Sequence, residues 1–177
     1  ASATVGIQDR SRTRGLLVMG PDCGTAIIAG APMGFANVVR RGAIGLVAAS
    51  GTGLQEVSTQ IHILGEGVSH AIGTGGRDLS EAVGGITMLA ALDTLGADPA
   101  TRVLVVISKP PSARVTGVVL DKLRTIGKPA VVLFIGAKIE TSGPIRAAST
   151  LFDAAAMAVE LSRGHAIAQT STNTSSA

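Results

Sequence analysis

The residues with the types and spacing to do chemistry gather in two glycine-rich turns. The first, Ser50-Gly51-Thr52-Gly53, follows the apolar run 43–49 and leads into Leu54-Gln55-Glu56-Val57. Glycines let the backbone turn sharply, and a hydroxyl can cap the helix that opens there. Such a helix turns unpaired N–H groups and the positive end of its dipole outward, where an anion such as phosphate binds. The second turn is Gly73-Thr74-Gly75-Gly76-Arg77-Asp78, in which Arg77 adds a cation. Neither turn continues into the Gly-Lys-Ser/Thr of a P-loop, and neither is a complete dinucleotide fingerprint. A plain capped strand-to-helix turn explains each one equally well.

The other reactive groups are few. Cys23 is the single cysteine, so there is no internal disulfide framework and no cysteine-rich metal site. Free cysteine is among the most buried residue types, and Cys23 reads first as a small side chain in the tight turn Pro21-Asp22-Cys23-Gly24. His62 falls mid-helix among apolar neighbours and His70 opens a strand, both positions more often structural than catalytic. A net charge of +3 is mild, and aromatic residues are 2% of the chain, so basic and stacking groups do not interleave as a nucleic-acid surface requires. No apolar run spans a bilayer and no charged-then-apolar leader is present, so a cytoplasmic protein is expected. The start at Ala1 fits a fragment of a longer polypeptide.

These groups need a scaffold, and the apolar pattern supplies one. Residues 1–14, with Arg10, Arg12 and Arg14 alternating with Ser11 and Thr13, read as a flexible basic arm. Short strands are expected at 15–20 and, as a hairpin-like excursion, at 26–28 and 34–37. The stretch 43–49 is a buried parallel strand. A helix over 53–64 carries Leu54, Val57, Ile61 and Leu64 on one face and closes at Gly65. Strand 68–72, a helix over 79–95, strand 102–108, a helix over 112–126, strand 130–135, a weak strand at 144–148 and a helix over 151–163 follow. The tail 165–177 is Ser/Thr-rich and expected to be disordered. Alternating strands and helices predict an α/β, doubly wound parallel sheet in three layers, with 43–49 central. Ligands in such sheets bind beyond the carboxyl ends of the strands. Both glycine turns and Ser108-Lys109 lie at that edge.

GPDCGTAIIAG at 20–30, GFANVVRRGAIGLVAASGTGLQEV at 34–57 and HAIGTGGRDLSEAVGG at 70–85 carry a resemblance to the FdrA proteins. These belong to the NDP-forming acyl-CoA synthetase superfamily, typified by the succinyl-CoA synthetase alpha subunit. The resemblance spans about 15–164 and implies the flavodoxin-like, CoA-ligase-type domain, with the preceding CoA-binding domain absent. It implies that Ser50, Gly51 and Thr52, with Gly73, Gly75, Gly76 and Asp78 of the second turn, surround a phosphate, to which the reading of the turns adds Gly53 and Arg77, and that Asp22 and Cys23 lie near the CoA arm. Asp22 stands where the superfamily has Asn. The superfamily's phosphorylated histidine sits in a loop after the fourth strand. The corresponding loop, 136–143, has none, and His165 follows the last helix, too far along for that role. No catalytic residue and no metal ligand is therefore assigned.

Three functions stay open at this point. The chain is a CoA-ligase-type domain completed by a CoA-binding domain and an ATP-grasp partner. Alternatively, it serves an oxamate carbamoyltransferase of allantoin breakdown, with carbamoyl phosphate at the anion edge. Thirdly, it is a non-catalytic anion-binding or assembly module. Phosphate, acyl phosphate or CoA through a partner domain are the expected ligands, with no covalent cofactor. Self-association or a partner subunit is expected, and no nucleic acid or membrane.

Overall fold

The computed structural model describes residues 2–164, so the tail 165–177 and His165 lie outside the described residues. In chain order the elements are α1 (Ser2–Arg12), β1 (Thr25–Ile28), β2 (Ala31–Gly34), β3 (Arg41–Ala48), α2 (Gly51–Ile63) and β4 (Val68–Gly73). There follow α3 (Ile86–Ala97), β5 (Val103–Ser108), α4 (Ala113–Ile126), β6 (Ala130–Phe134), β7 (Ile145–Ala147) and α5 (Leu151–Ser162). They build one sheet in the order β2-β1-β4-β3-β5-β6-β7. The strands β4-β3-β5-β6-β7 are parallel, and counted along the chain their order is that of the flavodoxin fold. The β1–β2 hairpin extends the sheet antiparallel from β4. The expected central strand thus holds the middle of the sheet, flanked by β4 and β5.

Alternation along β3 feeds two cores. Ile44, Leu46 and Ala48 point to the layer that α2 and α5 cover, where Leu54, Val57, Ile61, Ala154, Ala155 and Ala158 are buried. Val47 and Ala49 point to the opposite layer, against Met88, Leu92 and Leu95 of α3 and Val115, Val119 and Leu123 of α4. Both faces being covered is why the strand is apolar throughout. Hydroxyl caps set the helix starts. Ser50, Ser112 and Thr150 accept N–H bonds from Gly53, Val115 and Asp153.

Four expectations are corrected. Residues 16–20 are not a strand. Leu17 and Met19 pack against the α3/α4 core from an irregular segment, with Gly15 and Gly20 at positive φ at its ends, and Leu16 is exposed. The arm at 1–14 contains helix α1, whose Gln8 is buried against α3. The second hairpin strand is 31–34 rather than 34–37. The helix expected from residue 79 begins at Ile86, because 77–83 form turns that bury Leu79 and Val83.

Candidate functional site

The first turn of α2 stands at the carboxyl end of β3, next to the point where the sheet's strand order reverses between β3 and β5. Ser50 has an extended backbone, φ −141°, and its hydroxyl accepts the Gly53 N–H at 3.2 Å. The Leu54 N–H closes on the Ser50 carbonyl at 2.9 Å. Among the described residues, the N–H groups of Gly51 and Thr52 have no acceptor, and both residues are exposed. The start of β1 lies alongside. Thr25 is buried, its hydroxyl accepts a bond from Gln55 Nε2 at 3.1 Å, and it lies 3.6 Å from where a β-carbon on Gly51 would stand.

The second glycine turn packs beside the first. The Thr74 N–H bonds the Ala48 carbonyl at 2.8 Å, extending the β3–β4 ladder past its last residue. A β-carbon on Gly73 would collide with Cys23 Sγ and come 2.9 Å from the Thr25 carbonyl. Gly75, at φ +90°, lies so close to the Pro21 carbonyl that a side chain has no room. These glycines are required by the seating of the 20–25 segment. Gly53 is likewise confined, by Ile107 and Ser50. Gly51 differs. It is helical rather than left-handed, and a β-carbon there would make only an ordinary contact. No backbone or packing constraint accounts for it.

Asp78 does something other than hold an external anion. Its buried carboxylate accepts the N–H groups of Thr87 at 3.1 Å and Met88 at 2.8 Å, so it fills the N-terminus of α3 from within the chain. Burial pushes its pKa up, while those two amides and the Thr74 hydroxyl pull it back down. The expectation that this turn opens a second vacant helix N-terminus is therefore corrected. Carboxylates also stand near the hydroxyl-capped starts of α4 and α5, without accepting their N–H groups. Glu81 pairs with Arg114 in the first turn of α4, and its pKa is held down by Arg114 and by the Ser112 hydroxyl. Asp153 lies in the first turn of α5, with its pKa lowered by the Ser149 and Thr150 hydroxyls. The first turn of α2 has no acidic residue.

The remaining site residues fall around this edge with unequal charge. Arg77 and Lys109 are exposed, and neither is in an ion pair among the described residues. Asp22 is exposed at φ 66°, with an oxygen 3.5 Å from the β-carbon position of Gly76, so that flank of the edge is negative. Cys23 is half-buried, and its thiol donates to the Thr25 carbonyl at 3.6 Å. The two histidines among the described residues are structural. His62 Nδ1 accepts the Arg40 N–H at 2.9 Å, and His70 bridges the Ala29 N–H to Asp98. The loop 136–143 borders an open groove of about 510 Å³ with Ala147, Ala148 and Ser149. Among the described residues no group of three His, Cys, Asp or Glu can hold a metal ion. Among the described residues no helix is long and apolar enough to cross a membrane. Thr25 and Gln55 were not legible as site residues, because they are 30 positions apart and only the β1–β4 pairing brings them together.

Comparison with known proteins fits this architecture. Residues 40–136 match the family model described as the CoA binding domain. The uncharacterized protein YahF of Escherichia coli strain K12 is 55% identical over 129 residues, 73% of this chain and 25% of YahF. ATP citrate lyase from Methanothrix soehngenii, solved with citrate and coenzyme A, superposes with a TM-score of 0.63 at 20% identity, over 90% of this chain and 28% of the lyase chain. The dinucleotide-forming acetyl-coenzyme A synthetase 1 of Ca. Korarchaeum cryptofilum, solved with phosphate and ADP, gives 0.57 at 20% identity, over 74% and 28%. The chain thus spans about a quarter of the length of these relatives. The expectation that a CoA-binding domain is absent is overturned by the family match, which runs from the entry to β3 through β6. With more than half of its residues inside that match, the chain belongs to the CoA binding domain family, in a fold shared with segments of an acetyl-coenzyme A synthetase and an ATP citrate lyase.

Proposed function

We propose that this domain holds a phosphate-bearing ligand of an acyl-CoA synthetase or ligase, with the phosphate on the first turn of α2. The observation that carries this reading is the vacancy at that turn. Asp78 fills the start of α3, and Glu81 and Asp153 place negative charge beside the starts of α4 and α5, whereas α2 has no carboxylate in its first turn, two unbonded N–H groups and an exposed glycine that packing does not require. A helix N-terminus of this kind favours a bound anion. Ser50 orients the turn, Thr25 and Gln55 fix its position, and Arg77 and Lys109 supply positive charge at the same edge. The solved relatives were captured with phosphate and ADP or with citrate and coenzyme A, which supports a phosphate or CoA phosphate as the ligand here.

The domain binds and positions rather than turning over alone. Its 136–143 loop offers no histidine nucleophile, and acyl-phosphate chemistry depends chiefly on positioning and charge stabilisation. Catalysis belongs to an assembly with further domains, as the span of the relatives suggests. Calorimetric titration of phosphate and of CoA into wild type, Gly51→Val and Arg77→Ala tests the site. Gly51→Val blocks the approach to the backbone and abolishes measurable binding. Arg77→Ala weakens it by about 1.5–3 kcal/mol if one charge-assisted bond is lost. Equal affinity in all three folded proteins refutes the site.

A further inference from the structure

Helix α1 touches the domain through an amide with an unmet requirement. Gln8 is only 4% exposed. Its Nε2 donates to the Gly20 carbonyl at 3.1 Å and to the Thr87 hydroxyl at 2.7 Å, and that hydroxyl donates in turn to the Val18 carbonyl at 3.1 Å. The bonds fix the amide's orientation, because a flipped amide would set its oxygen against the Gly20 carbonyl. Gln8 Oε1 is left buried with no donor. An unsatisfied buried acceptor costs about 1–3 kcal/mol, so native structures rarely leave one.

Two small cavities meet at Gln8. One is walled by Leu16, Leu17, Val18, Ile86, Thr87 and Ala90, where the Thr87 hydroxyl and the Val18 carbonyl already bond each other. The other lies between α1 and the second glycine turn, is bordered by Gly20, Pro21, Thr74, Arg77 and Asp78, and encloses about 10 Å³. That is on the order of one water molecule's requirement, and Thr74 and Asp78 on its border can partner a water beside Gln8. We infer that this cavity holds one buried water molecule, which donates to Gln8 Oε1 and to the Thr74 hydroxyl oxygen, and so pins α1 to the glycine turn. The water supplies the missing donor, and through Thr74 it links Gln8 to the buried carboxylate, which accepts the two α3 amides and the Thr74 hydroxyl. Helix α1 is then an integral strap over the turn that carries Arg77.

The test uses the full chain. A crystal structure fine enough to resolve ordered water is expected to show one peak within about 2.6–3.2 Å of Gln8 Oε1 and of the Thr74 hydroxyl oxygen. Hydrogen exchange of the α1 amides is then compared in wild type, Thr74→Val and Gln8→Met. Thr74→Val removes a water partner and leaves both Gln8 Nε2 bonds in place; it is expected to empty the peak and speed α1 exchange about tenfold. Gln8→Met, which also loses the direct bonds, is expected to exceed that and serves if Thr74→Val does not fold. An empty cavity in wild type, the Arg77 guanidinium seated on Gln8 Oε1, or a cation at about 2.3–2.6 Å from the oxygens overturns the inference. Unchanged α1 exchange in a folded Thr74→Val also overturns it.

Discussion

Gly73→Ala tests how the two glycine turns are seated against the 20–25 segment. The new methyl would overlap Cys23 Sγ and lie 2.9 Å from the Thr25 carbonyl oxygen. The thiol can rotate away, but the carbonyl is held by the β1 backbone. Overpacking of this kind costs about 1–3 kcal/mol. Replacing glycine returns about 0.4–1 kcal/mol by narrowing the unfolded ensemble. The net expected loss is about 1–2 kcal/mol. Cys23→Ala alone gives up a half-buried thiol and one long bond, so it costs less than about 1 kcal/mol. In the double variant the sulfur overlap disappears while the carbonyl overlap stays, so the two changes are coupled by about 0.5–1 kcal/mol and rescue is incomplete. Urea unfolding followed by circular dichroism is the assay, because the chain has no Trp or Tyr to report by fluorescence. Costs that add within about 0.3 kcal/mol would show that the thiol does not fill the space over Gly73. A neutral Gly73→Ala would refute the close approach altogether.

Further outcomes follow from single contacts. Asp78→Asn leaves one of the Thr87 and Met88 amides without its acceptor and is expected to cost about 1–2 kcal/mol at neutral pH, read by urea unfolding. Because burial raises the Asp78 pKa above its unfolded value, the native state keeps the proton longer. Wild type should therefore gain stability relative to Asp78→Asn as pH falls through the raised value toward about 4, and a gap independent of pH would refute this. Ser112→Ala removes the hydroxyl that caps the Val115 N–H and should cost about 1 kcal/mol by the same assay. Lys128→Met frees the Leu95 and Asp98 carbonyls at the end of α3 and should cost about 1–2 kcal/mol, with faster amide exchange in the last turn of that helix.

The parallel half of the sheet was legible because β3, β5 and β6 are apolar at nearly every position, as strands covered on both faces must be. The start of α2 was legible from the hydroxyls of its glycine turn, where Ser50 does the capping, and Ser112 and Thr150 cap α4 and α5 in the same way. The start of α3 was hidden. Its cap is the carboxylate of Asp78, eight residues before Ile86, and the intervening Gly84 and Gly85 both sit at positive φ. Residues 15–20 misled because an apolar run records burial, not strand pairing; Leu17 and Met19 are partly buried but bond to no neighbouring strand. The alternating Arg and Ser/Thr around residue 12 masked α1, whose Gln8 is buried against α3. That the two glycine turns share one edge of the sheet was legible from topology. Which helix end was left vacant depended on where each carboxylate folds back, and spacing carries no such information.

The hairpin's place in the sheet also fixes an order of events during synthesis. β1 and β2 are made first among the strands, yet β1 pairs with β4, and β3 lies on the far side of β4. Until residue 73 has left the ribosome the hairpin has no edge to join, and a two-stranded hairpin alone is marginal in water. Meanwhile Met33, Phe35 and Val38 stay exposed, as they do in the finished domain. The first cooperative unit is therefore the β3–α2–β4 crossover, and the chain's opening forty residues must wait for it before they can settle. A nascent chain stalled with Val68 still inside the exit tunnel is expected to be held by chaperones, whereas one stalled with Gly73 outside it can pair β3 with β4 and seat the hairpin.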